Sequence, residues 1–341
     1  MIEIRAFAIK TKRGAAEPYV YCREIGRHDA LVRITHRSIT RGDIQFIEND
    51  WGDTRFPLVP AHEIVGVVEE IGPDVTELRR GDRVGIGFQL GACFECDYCR
   101  HGTEQFCPNQ TVVGVNAYGG LAEQIIVDAR FAFPLPGELE SALATPLMSS
   151  GLTVYAAISF CRLPARARVA VLGIGGLGRL ALQFLHAMGH NVSALSRSPQ
   201  KREMIERLGA QYIDSSNAAY LATYRSRFDL ILSTLNVPFD LDAHLRMLTP
   251  EGEFGFVATP LEPLSLKAGL LYDYARRRIY GNYVGSRSDT VQMLKFAAAR
   301  GIKAPVDVIP FSQVNRAIER VRTHELSAAV ILESLVTGQN T

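Results

Sequence analysis

The chain has 341 residues, 37 of them basic and 36 acidic, for a net charge of +1. That balance leaves no field to steer nucleic acid or an anionic membrane surface, so neither is expected as a partner. With 47% hydrophobic and 21% charged residues, the chain is long enough for two domains with ordinary cores.

Met1-Ile-Glu-Ile-Arg-Ala-Phe-Ala-Ile9 alternates like a strand and lacks the long apolar core of a signal peptide. Up to residue 150, short runs rich in Val, Ile, Gly and Pro alternate with turn signals. Ala30–Thr35, Ile64–Gly72 and Arg83–Gly87 read as strands, while Gly72-Pro73-Asp74 and Gly81-Asp82 read as turns. This half is expected to be a β-rich, barrel-like domain. After Pro146 the character changes. Leu152–Ala157 is helix-like, Val169–Leu172 a buried strand, Leu177–Met188 a helix, Asn191–Leu195 a strand and Gln200–Leu208 a charged helix. Phe228–Leu232 and Gly252–Val257 read as further strands. Such alternation implies a parallel sheet covered by helices on both faces. Beyond about residue 284, a helix at Thr290–Ala299, a proline-marked strand and a last helix and strand are expected to return to the first domain. No stretch approaches the roughly 18 unbroken apolar residues of a membrane span. Arg276-Arg277-Arg278 reads as a solvated helix end or a cofactor-side patch rather than a nucleic-acid contact.

Gly173-Ile174-Gly175-Gly176-Leu177-Gly178 follows a strand and opens a helix. Small residues there let the backbone turn sharply and approach a pyrophosphate seated on the helix N-terminus. An NAD site ends its second strand in Asp or Glu to hold the ribose hydroxyls. Here that strand ends in Ser196-Arg197-Ser198, with Lys201 following. Two hydroxyls and two cations suit a 2′-phosphate, so NADPH is the expected cofactor. The plainer reading is that Arg197 and Lys201 decorate a solvent-facing loop.

Of six cysteines, four fall in the run Cys93-x2-Cys96-x2-Cys99-x7-Cys107. That spacing folds a short lobe, about residues 91–108, over one tetrahedral zinc ion with no open position, a structural site. Free thiols or a redox pair are the alternative. A thiolate cluster beside two isolated cysteines, Cys22 and Cys161, fits a reducing, cytoplasmic setting.

These motifs together resemble the zinc-containing medium-chain dehydrogenase/reductase family, in its cinnamyl-alcohol-dehydrogenase-like branch. The residues that carry the resemblance are Asp43, Asn49-Asp50-Trp51-Gly52, Pro60-Ala61-His62-Glu63-Ile64-Val65-Gly66 and Gly81–Gly85. After them come the four cysteines, Tyr118-Gly119-Gly120, Gly151–Tyr155, the glycine-rich turn and Gly281–Ser286. The resemblance implies a GroES-like catalytic domain over 1–150 and 284–341, a Rossmann NADP(H)-binding domain over 151–283, a homodimer and a small-molecule substrate. It implies cofactor contacts from Thr153, Val257 and Ser286 besides the glycine-rich turn, and from Arg41 on the pyrophosphate. It places Trp51 and Tyr118 at the substrate pocket.

The departures bear on mechanism. In the family, a cysteine, the histidine of the His-Glu pair and a second cysteine hold a catalytic zinc, and a Cys-x-Ser/Thr-Asp run carries a relay hydroxyl. This chain reads Thr40-Arg41-Gly42-Asp43, so ligand and relay hydroxyl are both expected to be missing, and Ser149 replaces the second cysteine. Neutral hydroxyls are poor zinc ligands, so no catalytic zinc is expected. His62 is then either a buried, hydrogen-bonded residue oriented by Asp43 or a proton donor. Without a Lewis acid, hydride addition favours an acceptor that spreads its own charge: an enone, a polyene or an iminium ion. Reductive cyclisation of a polyene such as a tetramate macrolactam precursor, in specialised metabolism, is one such reaction. A zinc-independent carbonyl or imine reductase and a catalytically silent NADPH-binding protein remain alternatives.

Overall fold

The computed structural model describes residues 1–323 and 328–334; the parts of the expected first domain at 324–327 and 335–341 lie outside the described residues. The chain forms two compact units. One comprises Met1–Ser149, Ser286–Ala299 and the chain from Lys303; the other comprises Ser150–Gly285 with Arg300–Ile302.

In the first unit a mixed sheet runs Val306–Pro310, Ala329–Glu333, Asp29–Ile39, Glu63–Ile71, Arg83–Ile86, Ala132–Pro134, with Gln124–Asp128 also paired to Asp29–Ile39. Its core is aliphatic: Ile4, Ile34, Ile64, Ile86, Leu121 and Val330 are almost wholly withdrawn from water. One pairing positions the site. Asp29–Ile39 and Glu63–Ile71 are antiparallel, with Ser38 opposite Glu63. Extending that register past the strand ends sets Thr40 opposite Ala61 and so next to His62, though 22 positions separate Thr40 from His62. The short helix Arg41–Glu48 then starts at once, burying Asp43, Ile44, Phe46 and Ile47.

The second unit is built on six strands, all parallel, in the spatial order Gln211–Asp214, Asn191–Ser196, Arg168–Leu172, Phe228–Ser233, Leu248–Phe256, Arg278–Gly281. Counted from the first of them, that order is 3-2-1-4-5-6, the doubly wound arrangement. Val169, Ala170, Val171 and Leu172 are buried as one unbroken apolar run, as a strand covered on both faces requires. The strand order reverses beside this strand, and the helix Gly176–Ala187 leaves its carboxyl end. The expected helix over Gln200–Leu208 is instead a 3-10 turn at Pro199–Lys201 followed by a helix at Arg202–Arg207. Pro199 has no N–H to donate and fits the opening of such a turn.

Candidate functional site

Thr40 is the N-cap of the helix Arg41–Glu48. Its Oγ1 accepts the Asp43 N–H at 3.2 Å, and its own N–H donates to Asp43 Oδ2 at 2.8 Å, a reciprocal capping box. The same hydroxyl donates to Asp43 Oδ2 at 2.8 Å and lies 3.3 Å from His62 Nε2. Asp43 Oδ1 accepts the Ala61 N–H at 2.8 Å and His62 Nδ1–H at 2.9 Å. Ala61 makes its donation from a left-handed backbone conformation, φ +76°, uncommon for a residue with a Cβ.

Counting hydrogens links the protonation states of the three groups. Four donors fill both oxygens of the wholly buried Asp43, so it is a carboxylate. With the hydroxyl proton of Thr40 on Asp43, the oxygen can only accept from His62 Nε2; with it on Nε2, the ring is the neutral Nδ1–H tautomer. The first arrangement requires hydrogen on both ring nitrogens, an imidazolium. The electrostatics agree. Burial works against the charge on His62, but the Asp43 carboxylate, its hydrogen bond and the charge of Glu63 outweigh burial and raise the pKa. Burial likewise opposes the charge on Asp43, and His62 with the Thr40 donors holds its pKa below the ordinary value.

Glu63 is buried beside this triangle and accepts a short hydrogen bond from the Ser38 hydroxyl. Gly42, the position of the family's relay hydroxyl, lies against the ring, where a Cβ would stand 3.2 Å from His62 Cε1. Gly42 carries no relay hydroxyl, and the Thr40 hydroxyl, one turn of the cap away, lies near the ring instead. Ser149 is buried at the end of the turn Thr145–Met148. That turn lies against the strand beside Glu63–Ile71, with the Met148 carbonyl packed on Gly87.

Aromatic rings extend from the histidine. Phe88 meets His62 edge-on at 5.7 Å, Phe46 stacks on Phe88 at 6.3 Å, and Trp51 meets Phe46 edge-on at 4.8 Å. Trp51 is the exposed end, at 42%. Phe46 and Phe88 escaped sequence reasoning because the three rings come from separate segments. Tyr118, by contrast, belongs to a tyrosine cluster: its ring lies 4.6 Å from Tyr21 and its hydroxyl 3.2 Å from that of Tyr19. Buried Arg41 Nε meets no hydrogen-bond partner among the described residues.

The four cysteines converge, with all their sulfurs within 4.8 Å of one another. Cys93 lies 3.5 Å from Cys107 and 4.0 Å from Cys99. A tetrahedral zinc with bonds near 2.3 Å sets its sulfurs about 3.8 Å apart, so the donor set fits that ion. Backbone N–H groups of Glu95 and Cys96 hold the Cys93 thiol down at about 6, whereas burial and neighbouring thiols push Cys99 to about 12. Phe94, inside the lobe, is covered by the Arg130 guanidinium 3.5 Å from its ring centre, with Arg287 at 5.5 Å. Among the described residues no other group of three or more His, Cys, Asp and Glu side chains converges in this way.

In the second unit, Gly173 adopts φ +88°, and a Cβ at Gly178 would lie 2.1 Å from the Gly173 carbonyl oxygen. Both positions need glycine for the turn to close. Added side chains at Gly175 and Gly176 would meet nothing within 4 Å, which leaves the helix N-terminus open to a phosphate. Leu177 is half-buried in the first turn. Lys201 Nζ donates to the Ile174 carbonyl at 2.8 Å, Ser196 is buried with its hydroxyl accepting the Ser198 N–H at 3.2 Å, and Arg197 is exposed. The residues present fit a phosphorylated dinucleotide. Arg179 stands half-buried in the first turn of that helix, just past the last glycine.

The other expected cofactor residues have local partners. The Thr153 hydroxyl donates to the Tyr283 carbonyl at 2.8 Å, and Val257 is buried with its N–H on Ser233. Ser286 caps the helix Arg287–Arg300 through paired bonds with Asp289.

A dinucleotide turn on a doubly wound sheet and a separate β-rich unit with a four-thiolate lobe define a two-domain oxidoreductase. Comparison with known proteins gives the family. The Alcohol dehydrogenase GroES-like domain matches residues 26–137, and the Zinc-binding dehydrogenase domain matches 176–299. A probable formaldehyde dehydrogenase, AdhA of Bacillus subtilis (strain 168), is 39% identical over 90% of each chain. An NADP-dependent alcohol dehydrogenase C of Mycobacterium bovis is 34% identical over 91% of this chain and 92% of its own. The structure of a cinnamyl alcohol dehydrogenase from Sorghum bicolor superimposes with a TM-score of 0.92 at 31% identity, covering 97% and 98% of the two chains. The chain belongs to the zinc-type medium-chain dehydrogenase/reductase family, in its cinnamyl-alcohol-dehydrogenase-like branch, and is an alcohol-dehydrogenase-like oxidoreductase.

Proposed function

We propose that this protein is an NADPH-dependent reductase that works without a catalytic zinc and adds hydride to a conjugated acceptor: an enone, a polyene or an iminium ion. The observation that carries the proposal is the closure of His62 Nε2 by the Thr40 hydroxyl. The nitrogen that would face a metal is occupied by a hydroxyl, and the flanking positions Thr40 and Ser149 offer no thiolate. The four-cysteine lobe takes one structural zinc per chain.

NADPH supplies the hydride. The protein's task is then to hold a proton for the acceptor and move it at the right atom. Thr40, less buried than His62, gives its hydroxyl proton to the reduced acceptor and takes the Nε2 proton of His62 in return. His62 is left neutral with Nδ1–H on Asp43, and solvent restores the imidazolium. For an enone the sum is one hydride and one proton across C=C, which yields the saturated carbonyl. An imidazolium-fed hydroxyl is an acid rather than a Lewis acid, so an acceptor that delocalises charge needs least from it. The aromatic run from Phe88 to Trp51 suits a flat, extended acceptor, with cyclisation of a polyene such as a tetramate macrolactam precursor as one outcome. Tyr118 and Ser149 keep proposed places beside the substrate, and Glu63 tunes His62 by its charge.

The glycine-rich turn, Ser196, Arg197, Ser198 and Lys201 would hold NADPH, with Thr153, Val257, Ser286 and Arg41 as further proposed contacts. A cytoplasmic homodimer is proposed; the edge strand Arg278–Gly281 and the exposed Tyr272 and Tyr274 offer a surface for pairing. The same acid supports a second reading, reduction of a plain C=N or C=O. One experiment separates these readings. Metal content is measured, and turnover of NADPH is compared on extended enones, iminium ions and benzaldehyde-like substrates before and after chelation. One zinc per chain with preference for the conjugated acceptors is expected. Chelator-sensitive aldehyde reduction with two zincs per chain would sink the proposal, and failure to oxidise NADPH with any acceptor would leave only a binding protein.

A further inference from the structure

Glu48 closes the helix Arg41–Glu48, whose last turn holds no basic residue. Roughly half a negative charge resides at a helix C-terminus, so a carboxylate there is unfavourable unless cations offset it. Two arginines do so from distant segments. Arg322, the last residue of the helix Val314–Arg322, donates its Nε–H to Glu48 Oε1 at 2.9 Å across 274 positions. Arg13, in the turn between the strands Ile2–Ile9 and Ala16–Arg23, donates to Glu48 Oε2, and its own N–H bonds the Ile47 carbonyl at 2.9 Å. The Glu48 side chain is 14% exposed. Burial works against its charge, but the bonds from Arg322 and Arg13 prevail and hold the carboxyl below its ordinary pKa. The bridge thus runs against the local preference of the helix, and what it secures is the position of the helix end.

That end carries aromatic rings. Phe46, two residues before Glu48, stacks on Phe88 at 6.3 Å and meets Trp51 edge-on at 4.8 Å. A Cβ at Gly114 would lie 3.0 Å from Phe46 Cδ2, so a further segment confines the same ring. Asn49 follows Glu48 in a left-handed conformation, φ +51°, with its N–H on the Phe46 carbonyl at 3.0 Å and its Oδ1 accepting the Thr54 N–H at 3.0 Å. Trp51 stands inside the turn that this last bond closes, beside Gly52 at φ +83°. The bridge at Glu48 therefore holds the helix end, the helix end holds Asn49, and Asn49 holds the turn that sets Trp51 against Phe46. Helix ends without such ties fray.

We propose that Glu48 is a positioning residue: through its bridge to Arg322 and Arg13 it sets the aromatic wall of Phe46 and Trp51, and with it the acceptors the protein takes. The inference rests on the reading of that wall as the acceptor's surface under the proposed function, and adds the device that keeps it in place. A shift of about 1 Å in such a surface changes substrate use by up to about 100-fold.

Trp51 is the chain's only tryptophan, so its fluorescence reports on the wall with no acceptor present. Emission and anisotropy are measured on the unaltered protein, Glu48→Gln, Arg322→Gln, the double variant and Glu17→Gln, whose exposed pair with Lys10 serves as control. NADPH oxidation with benzylideneacetone, which carries a ring, and with methyl vinyl ketone, which does not, gives kcat and KM for each. Glu48→Gln is expected to lose Trp51 anisotropy and shift emission to the red. Arg322→Gln should do the same, and the double variant should go no further than Glu48→Gln. KM for benzylideneacetone should rise about 10-fold with kcat within about twofold, and both constants for methyl vinyl ketone should hold within about twofold. Arg322→Gln carries the test if Glu48→Gln fails to fold. Unchanged Trp51 emission and anisotropy would overturn the inference. So would equal losses on the two ketones, a KM for benzylideneacetone that stays put while Trp51 moves, or a control variant that behaves like Glu48→Gln. Reduction of neither ketone by the unaltered protein would count against the conjugated-acceptor reading instead, and the fluorescence alone would then decide whether Glu48 holds the wall.

Discussion

Thr40→Val tests the triangle most directly, because valine matches threonine in shape and removes only the hydroxyl. Three interactions are lost. The helix cap on the Asp43 N–H contributes about 1 kcal/mol. The hydroxyl bond to the Asp43 carboxylate contributes about 1.5–3 kcal/mol, as bonds to charged groups do. The contact with His62 Nε2, at 3.3 Å, is the weakest of the three. Asp43 keeps its bonds from the Thr40 N–H, Ala61 N–H and His62, so collapse of the site is not expected. A net loss of about 3 kcal/mol lowers the melting temperature of a unit this size by roughly 6–12 °C. Thr40→Ser should restore nearly all of it. The pH dependence carries a definite sign. The folded pKa of His62 is raised, so its contribution is whole below the ordinary imidazole value of 6.5 and fades as pH rises through the folded value. That of Asp43 is depressed, so its contribution is whole above the ordinary 3.8 and fades as pH falls through the folded value. The margin of the unaltered protein over Thr40→Val should therefore be widest between those ordinary values. Turnover should fall in the variant, and the basic limb of its pH profile should move to lower pH, because His62 loses its acceptor. Thermal melts within a degree of the unaltered protein at pH 5 would refute the hydrogen count on which the proposed mechanism stands.

Other outcomes are equally open to measurement. Cys99→Ser should lose zinc and soluble protein together, because metal binding and folding of the small lobe are coupled; full zinc content in a well-folded variant would count against the four-thiolate site. Arg197→Ala should weaken NADPH by about tenfold and NADH little, since one charge-assisted contact to a phosphate is removed; equal losses on both cofactors would place Arg197 elsewhere. Thr40→Cys combined with Ser149→Cys should raise zinc toward two per chain without raising turnover on a conjugated acceptor. A large gain there would mean that the native site is a damaged zinc enzyme rather than a different one.

Sequence sufficed where chemistry is local. The glycine turn is readable because Gly173 and Gly178 each answer a constraint a few residues away: a positive φ, and a carbonyl 2.1 Å from where a Cβ would lie. The cysteine lobe is readable for the same reason. Thr40 was legible as a missing ligand but not as a hydroxyl donor. Its direction depends on a helix cap and on an antiparallel register 22 residues away. The neighbours of Tyr118, Tyr19 and Tyr21, were not legible, because strand pairing of Ile2–Ile9 with Ala16–Arg23 presents them. Spacing along a chain does not reveal which face a distant hairpin will cover.

The exchange of thiolate for hydroxyl alters more than metal affinity. A histidine that ligates zinc through Nε2 is neutral there and holds no proton for the substrate. With Thr40 as hydrogen-bond acceptor, the proposed mechanism has the same ring keep its charge at a buried position, and Asp43, which in the metal-bound arrangement orients a ligand, would stabilise a cation instead. On the proposed reading the scaffold would trade a Lewis acid, which contributes several kcal/mol to any carbonyl, for a Brønsted acid that acts by proton transfer. Lewis-acid activation helps a substrate in proportion to the charge localised on one oxygen. A delocalised acceptor gains least from it and loses least by the exchange. If the proposal holds, Thr40 and Ser149 bear on the substrate class more than the scaffold around them does, because they would disfavour the acceptors that cannot carry their own charge.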